Sequence, residues 1–134
     1  MDQREWLRKK ESSKRSLSNA RRWLETEEAI NWIPDEIATS VLWAMEGWLL
    51  QRGIKPNFGN GWNSMKLQFF EIAPKALSQD AMRILSRATF LECELEGYFP
   101  RREDWSLEKW KKGAELCITN VKKFLEAIEK NLAT

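Results

Sequence analysis

The sequence predicts an all-α protein, an up-and-down bundle of about five helices that forms a single domain over residues 1–134. Apolar residues recur at intervals of three and four, and no segment shows the sustained alternation of period two that is typical of strands. The chain is also interrupted by widely spaced prolines, namely Pro34, Pro56, Pro74 and Pro100. With 43% hydrophobic residues, a chain of this length can bury one core.

Five periodic segments are predicted to be helices, at about residues 3–28, 34–52, 62–72, 79–98 and 107–132. The first has a loose apolar stripe and a very polar middle, "RKKESSKRS". The second is apolar on all sides, so we expect it to be the central buried helix. The fifth has the clearest amphipathic pattern.

Residues typical of helix ends flank these segments. Pro34 suits the first helical turn, where a missing N–H has no cost, and Gly53 suits the left-handed position after a helix C-terminus. Ser78 and Ser106 are predicted to be the N-caps of the fourth and fifth helices.

The glycine-rich stretch "GIKPNFGNGW", residues 53–62, invites comparison with phosphate-binding loops. Such loops follow a strand and keep a fixed glycine spacing, which in the P-loop ends in Lys and Ser or Thr. Here a predicted helix precedes the stretch, and Gly61 is followed by Trp62 and Asn63. We therefore interpret it as a helix connector, in which Pro56 blocks helix propagation and the glycines tolerate positive φ.

The chain has no histidine, which excludes His-containing catalytic triads, Cys-His dyads and HExxH metal sites. Cys93 and Cys117 are too few for a Cys/His zinc site and are predicted to be free, mostly buried thiols. We expect neither a metal nor a cofactor. No signal-peptide or transmembrane run is apparent, so we expect a cytoplasmic protein that does not enter the membrane.

Charge is distributed unevenly along the chain. Residues 1–22 hold eight basic and three acidic side chains, whereas residues 23–50 hold six acidic side chains and no basic one. This pattern suits electrostatic contact with a charged partner or with a second copy of the chain. The alternative is that both segments are solvated helix faces.

The segment "AMEGWLLQRGIKP", residues 44–56, resembles the part of HEPN proteins that reads like "QAAEKALKALLLAKGIKP", with Glu46 at the position of that family's glutamate. Further on, "GYFP", residues 97–100, resembles the family's Arg-Tyr-Pro, and a long last helix follows in both. The chain thus resembles the HEPN superfamily of prokaryotic helical bundles over nearly its whole length. The resemblance implies a bundle that often forms homodimers. It also implies a small nucleotidyltransferase as partner in a toxin–antitoxin-like pair, or the binding of nucleotides or RNA.

The departures from the family indicate what this chain does not do. Catalytic HEPN proteins are metal-independent RNases that use an Arg followed by a His, and this chain has no His. The arginine of Arg-Tyr-Pro is also missing, although Arg101 and Arg102 follow directly. The resemblance therefore implies a non-catalytic binding protein. The alternative is a small helical structural subunit of a nucleoprotein assembly, such as a defence complex.

Candidate binding residues come from the fourth helix and its surroundings. Arg83 and Arg87 are one turn apart, and Arg101 and Arg102 follow the helix, so that the four could bind phosphate. Trp62 lies where the family's His usually falls and could stack on a base. The competing interpretation pairs the arginines with nearby acids, namely Asp80, Glu94, Glu103 and Asp104.

An enzymatic function would need carboxylates. Glu92 and Glu96 are one turn apart and could share a metal ion or a proton, or they could form a solvated face. An enzyme would require this pair, or Glu46, to be buried in a cleft.

Overall fold

Helices account for most of the protein in the computed structural model, which describes residues 3–97 and 103–133. Within these ranges there are no strands and five α-helices: α1 Gln3–Thr26, α2 Ile33–Gln51, α3 Trp62–Ile72, α4 Lys75–Glu96 and α5 Leu107–Ala133. A single 3-10 turn, Ile30–Trp32, leads into α2. The predicted all-α bundle of five helices is confirmed.

The predicted N-cap of α5 is confirmed, and that of α4 is wrong. Ser106 Oγ accepts a hydrogen bond from the Lys109 N–H at 3.2 Å. In contrast, α4 begins at Lys75 with Pro74 at its N-cap, so Ser78 lies inside the helix and is buried. The reason is that Pro74 has an extended ψ of 143° and its carbonyl accepts from the Ser78 N–H, which starts the helix one turn earlier.

Only Ala73 and Pro74 separate α3 from α4, which makes a sharp corner between them. Ala73 has an extended conformation with a ψ of 154°. A residue that precedes proline is disfavoured in the α region, because its backbone would clash with the proline ring. The two-residue break therefore follows directly from the sequence Ala-Pro.

α1 and α2 approach each other closely along a row of small residues. Ser13 Oγ donates to the Ser40 carbonyl at 2.7 Å, and Ser40 Oγ donates to the Ser13 carbonyl at 2.8 Å. Both serines are buried. Towards the other end of the contact, a Cβ added to Gly47 would lie 3.4 Å from Lys9 Cβ and 3.6 Å from the Trp6 carbonyl. These contacts fix α1 and α2 as an antiparallel pair.

The remaining long helices complete an antiparallel bundle. Lys10 and Lys14 of α1 reach Glu129 near the end of α5, whereas Lys111 near its start reaches Glu27, just after α1. α5 is therefore antiparallel to α1. On its other side, α5 packs antiparallel to α4. The short helix α3 belongs to the segment that connects α2 to α4, and it packs against α2.

The core centres on α2, as predicted, with side chains from every helix packed around it. Trp48 of α2 is buried and meets Phe69 of α3 edge to face, with ring centroids 5.4 Å apart. Trp110 of α5 is also buried, and its indole N–H donates to the Leu91 carbonyl at 3.0 Å. Large buried aromatic rings contribute much of the apolar area removed from water on folding.

The stretch 53–62 is a structured connector between α2 and α3. Gly53 has a φ of 77°, and the Ile54 N–H donates back to the Leu49 carbonyl at 2.9 Å, a left-handed helix termination. The Asn57 N–H donates to Gln68 Oε1, and the Asn60 N–H donates to Ser64 Oγ, both at 2.8 Å. Because these amides are used within the protein, they do not form an open phosphate cradle.

Within the described ranges, no helix combines the length and the apolar character needed to cross a bilayer.

Gly47 provides a test of the close α1–α2 contact. We expect Gly47→Leu to lower the free energy of unfolding by about 1–3 kcal/mol, because the longer side chain separates the two helices. Gly47→Ala is the control, since its Cβ meets only ordinary van der Waals contacts and alanine favours a helix by about 1 kcal/mol. Urea unfolding followed by circular dichroism measures both. Equal stability of the Leu and Ala variants would contradict the close contact.

Candidate functional site

Arg83 and Arg87 both lie on the exposed surface of α4, one turn apart, on the side that borders α5. Arg83 Nη2 lies 2.7 Å from Asp80 Oδ1, so the competing salt-bridge interpretation is correct for this pair. Both side chains are well exposed, and water weakens such an ion pair. Arg87 has no ion-pair partner among the described residues.

α5 adds two polar residues to this surface. Asn120 and Lys123 line the same hollow between the helices as Asp80 and Arg83. Sequence reasoning missed both, because they join the arginines only through the register of α5 against α4. The one available signal is their spacing of three on the polar face of the clearest amphipathic helix. We call the surface formed by Arg83, Arg87, Asn120 and Lys123 the α4–α5 face.

Exposed apolar side chains border the α4–α5 face. Met82 and Phe90 lie on the outward side of α4 and are 45% and 42% exposed. Leu116 is 55% exposed and stands one turn before Asn120 on α5. The surface therefore combines cationic groups with apolar ones, as surfaces that bind other macromolecules often do.

Cys117 lies behind this surface, on the buried side of α5. Burial raises the pKa of its thiol to about 11, although the nearby Arg87 charge opposes the shift. The group therefore stays protonated near neutral pH and is a poor nucleophile. Cys93 is half-buried, and both cysteines are free thiols, as predicted.

Trp62 is not part of the α4–α5 face. It is the first residue of α3 and meets Trp43 of α2 edge to face at 5.3 Å, and Phe58 at 5.4 Å. Trp62 is half-buried in this aromatic cluster near α1, while the arginines border α5. The structure thus does not bring Trp62 together with Arg83 and Arg87. Arg101 and Arg102 lie outside the described residues.

The carboxylates considered for catalysis are not assembled into a cluster. Glu92 is half-buried and Glu96 is exposed. Within residues 3–97 and 103–133, no group of three or more Asp, Glu or Cys side chains converges as metal ligands would.

Glu46 is buried between α1 and α2, where it forms an ion pair. Lys9 Nζ lies 3.3 Å from Glu46 Oε2 and also 4.6 Å from the centre of the Trp43 ring. Burial raises the pKa of the Glu46 carboxyl, Lys9 opposes the shift, and the Glu5 charge adds to it. Glu46 is therefore a buried acid held beside Lys9.

Part of the uneven charge seen in the sequence is paired inside the protein. Lys9 of the basic segment meets Glu46 of the acidic one, and Lys10 and Lys14 share Glu129. Glu27 of the acidic segment meets Lys111 at 2.8 Å. Intramolecular pairing is thus a third explanation, besides a charged partner and solvated faces.

Comparison with protein-family models, with curated proteins and with solved structures gave no match. Membership of the HEPN superfamily stays a prediction from the sequence.

Two carboxylates with shifted pKa values, Glu46 and Glu129, predict opposite effects of pH. Folding raises the pKa of Glu46 above 4.5. The contribution of Glu46 to the free energy of unfolding of the wild type therefore falls as the pH rises from 4.5 towards the raised pKa. We therefore expect Glu46→Gln to gain stability relative to wild type over that window.

Glu129 is the matched control, because hydrogen bonding to Lys10 lowers its pKa below 4.5. Its contribution is present above 4.5 and is lost as the pH falls towards the lowered value. Glu129→Gln should thus be less stable than wild type at neutral pH, and the difference should vanish in acid. Urea unfolding between about pH 3 and pH 7 measures both differences. Differences of the same sign would contradict the assigned environments.

Proposed function

We propose that this chain is a non-catalytic, HEPN-like binding protein that binds RNA through the phosphates on its α4–α5 face. The observation that carries the proposal is that Arg83 of α4 and Lys123 of α5 line one exposed hollow, with Arg87 one turn further along α4 beside Arg83. Side chains one turn apart on a helix are about 5–6 Å from each other at Cβ, so both arginines can contact one strand. Guanidinium groups form charge-assisted, bidentate hydrogen bonds with phosphate.

The surroundings of the arginines support binding in preference to cleavage. Asp80 is exposed and engaged by Arg83, which leaves Arg87 and Lys123 for a ligand. The chain has no histidine to act as the general base that catalytic HEPN proteins use. The α4–α5 face therefore offers cationic groups that can bind phosphate, and the carboxylate beside them, Asp80, is paired with Arg83.

The resemblance to HEPN proteins adds further parts to this proposal. These are a cytoplasmic location, a homodimeric state and a small nucleotidyltransferase partner in a toxin–antitoxin-like pair. The alternative function is a small helical structural subunit of a nucleoprotein defence assembly. The exposed Met82 and Leu116 favour that alternative, because a neighbouring subunit would cover apolar side chains beside bound RNA.

Salt dependence provides the test of RNA binding. We expect wild type to bind a fluorescein-labelled oligouridine. A triple variant that combines Arg83→Gln, Arg87→Gln and Lys123→Gln should bind it more weakly. The magnitude of the slope of log K against log salt concentration should fall by about 2 in this variant. The reason is that each phosphate contact with a single strand contributes about 0.7 to that magnitude, and three contacts are lost.

The control for this variant removes the same charge from α1, by Arg8→Gln, Arg15→Gln and Arg22→Gln. These residues are exposed and lie away from the α4–α5 face. Fluorescence anisotropy should give nearly the wild-type slope for the control. An equal loss in both variants, or no binding by wild type at low salt, would overturn the proposal.

Native mass spectrometry of the tagged chain, gently purified from its source cells, tests the protein partner. We expect a complex with a nucleotidyltransferase-sized protein, identified by its peptides. A complex with several different subunits and RNA would favour the assembly alternative. Recovery of a homodimer without any other protein would contradict the proposed nucleotidyltransferase partner.

A further inference from the structure

A second surface, between α1 and α5, is separate from the α4–α5 face. It is a groove of about 340 Å³. Its lining residues are Lys14, Leu17, Ser18, Arg21, Lys122, Leu125, Glu126 and Glu129. At one end of the groove, Glu129 pairs with Lys10 and Lys14 of α1. Its lining runs from Lys14 to Arg21 on α1 and from Lys122 to Glu129 on α5, which is about 11 Å or two helical turns on each helix.

The floor of the groove is apolar. Leu17 and Leu125 form it, and both pack against the core. Below one end is a narrow crevice of about 20 Å³, room for a single water molecule, whose walls include Trp48 and Ile128. Leu7, which is 44% exposed, lies one heptad before Lys14 and extends the apolar surface along the same side of α1.

The two rims carry different charges. The α1 rim is basic, with Lys14 and Arg21 two turns apart. The α5 rim is mixed, with Lys122 followed by Glu126 and Glu129. Arg21 and Lys122 have no ion-pair partner among the described residues. An occupant should therefore present acidic groups to the α1 rim and to Lys122.

We propose that this groove docks an amphipathic helix of a partner protein, whose apolar stripe covers Leu17 and Leu125 and whose acidic flank lies along Lys14 and Arg21. A groove between two antiparallel helices, with an apolar floor and polar rims, has the form that receives a third helix. The apolar floor favours a protein helix over RNA as occupant, because the apolar side chains of a helix can cover it.

The test uses a synthetic peptide of about five helical turns, with leucines at helical spacing and glutamates along one flank. A matched peptide carries lysine at every glutamate position. The groove variant is Arg21→Glu, Lys122→Glu. The control variant, Arg15→Glu, Lys112→Glu, changes the same charge on the same two helices at exposed positions outside the groove.

We expect the glutamate peptide to bind wild type, and to bind the groove variant at least about tenfold more weakly, as measured by fluorescence anisotropy. The control variant should retain wild-type affinity within about twofold, because surface charges outside the groove contribute little. The lysine peptide should show the reverse preference and favour the groove variant. Circular dichroism verifies that both variants are folded.

Several outcomes would overturn the proposal. One is an equal loss of binding in the groove and control variants, which would indicate non-specific attraction. Another is the absence of saturable binding of the glutamate peptide to wild type. Sedimentation that shows wild-type self-association, abolished only in the groove variant, would assign the groove to a second copy. Oligouridine binding lost in the groove variant but kept in the α4–α5 variant would assign it to RNA and would overturn the proposed function as well.

Discussion

The reciprocal hydrogen bonds between Ser13 and Ser40 are the constraint on which the arrangement of the bundle depends. Each hydroxyl donates to the backbone carbonyl of the other residue, so two polar side chains are buried with their donors satisfied. The bonds can form only where the backbones of α1 and α2 come close, and Gly47 permits the same approach further along. This contact places Lys9 beside Glu46 and directs Lys10 and Lys14 towards α5.

The ion pairs then decide which charges remain for ligands. Segregation of basic and acidic residues in a sequence suggests an external partner, yet an antiparallel bundle brings distant segments side by side and lets them neutralise each other. Here Lys9–Glu46 joins the two segments, whereas Glu27 of the acidic segment pairs with Lys111 of α5. Among the described residues, four cations on the two surfaces along α5 have no ion-pair partner, namely Arg87, Lys123, Arg21 and Lys122. α5 is thus shared by both proposed binding surfaces.

Periodicity predicted the helices because apolar residues recur with the helical repeat, but the interior of α1 was not evident. Ser13 and Ser16 lie in the tract "RKKESSKRS", which reads as polar although both side chains are buried. Spacing within α4 identified Arg83 and Arg87, because neighbours on one helix follow from the sequence alone. Asn120 and Lys123 could not be found that way, since the register between two helices depends on packing. A single sequence also does not show that Trp43 and Phe58 pack against Trp62, which is half-buried in the structure.

The corner at Ala73 and Pro74 also bears on how the chain avoids exchanging parts with another copy. Both flanking segments are helical and are separated by only these two residues. Proline has no amide hydrogen and disfavours a helical residue before it, so α3 and α4 cannot merge into one continuous rod. In such a rod α3 would no longer pack against α2 of the same chain. Trp48 and Phe69 could then pack only against the equivalent residues of a neighbouring molecule, which is how domain-swapped dimers arise. The proline thus keeps the aromatic contacts of α3 within a single chain.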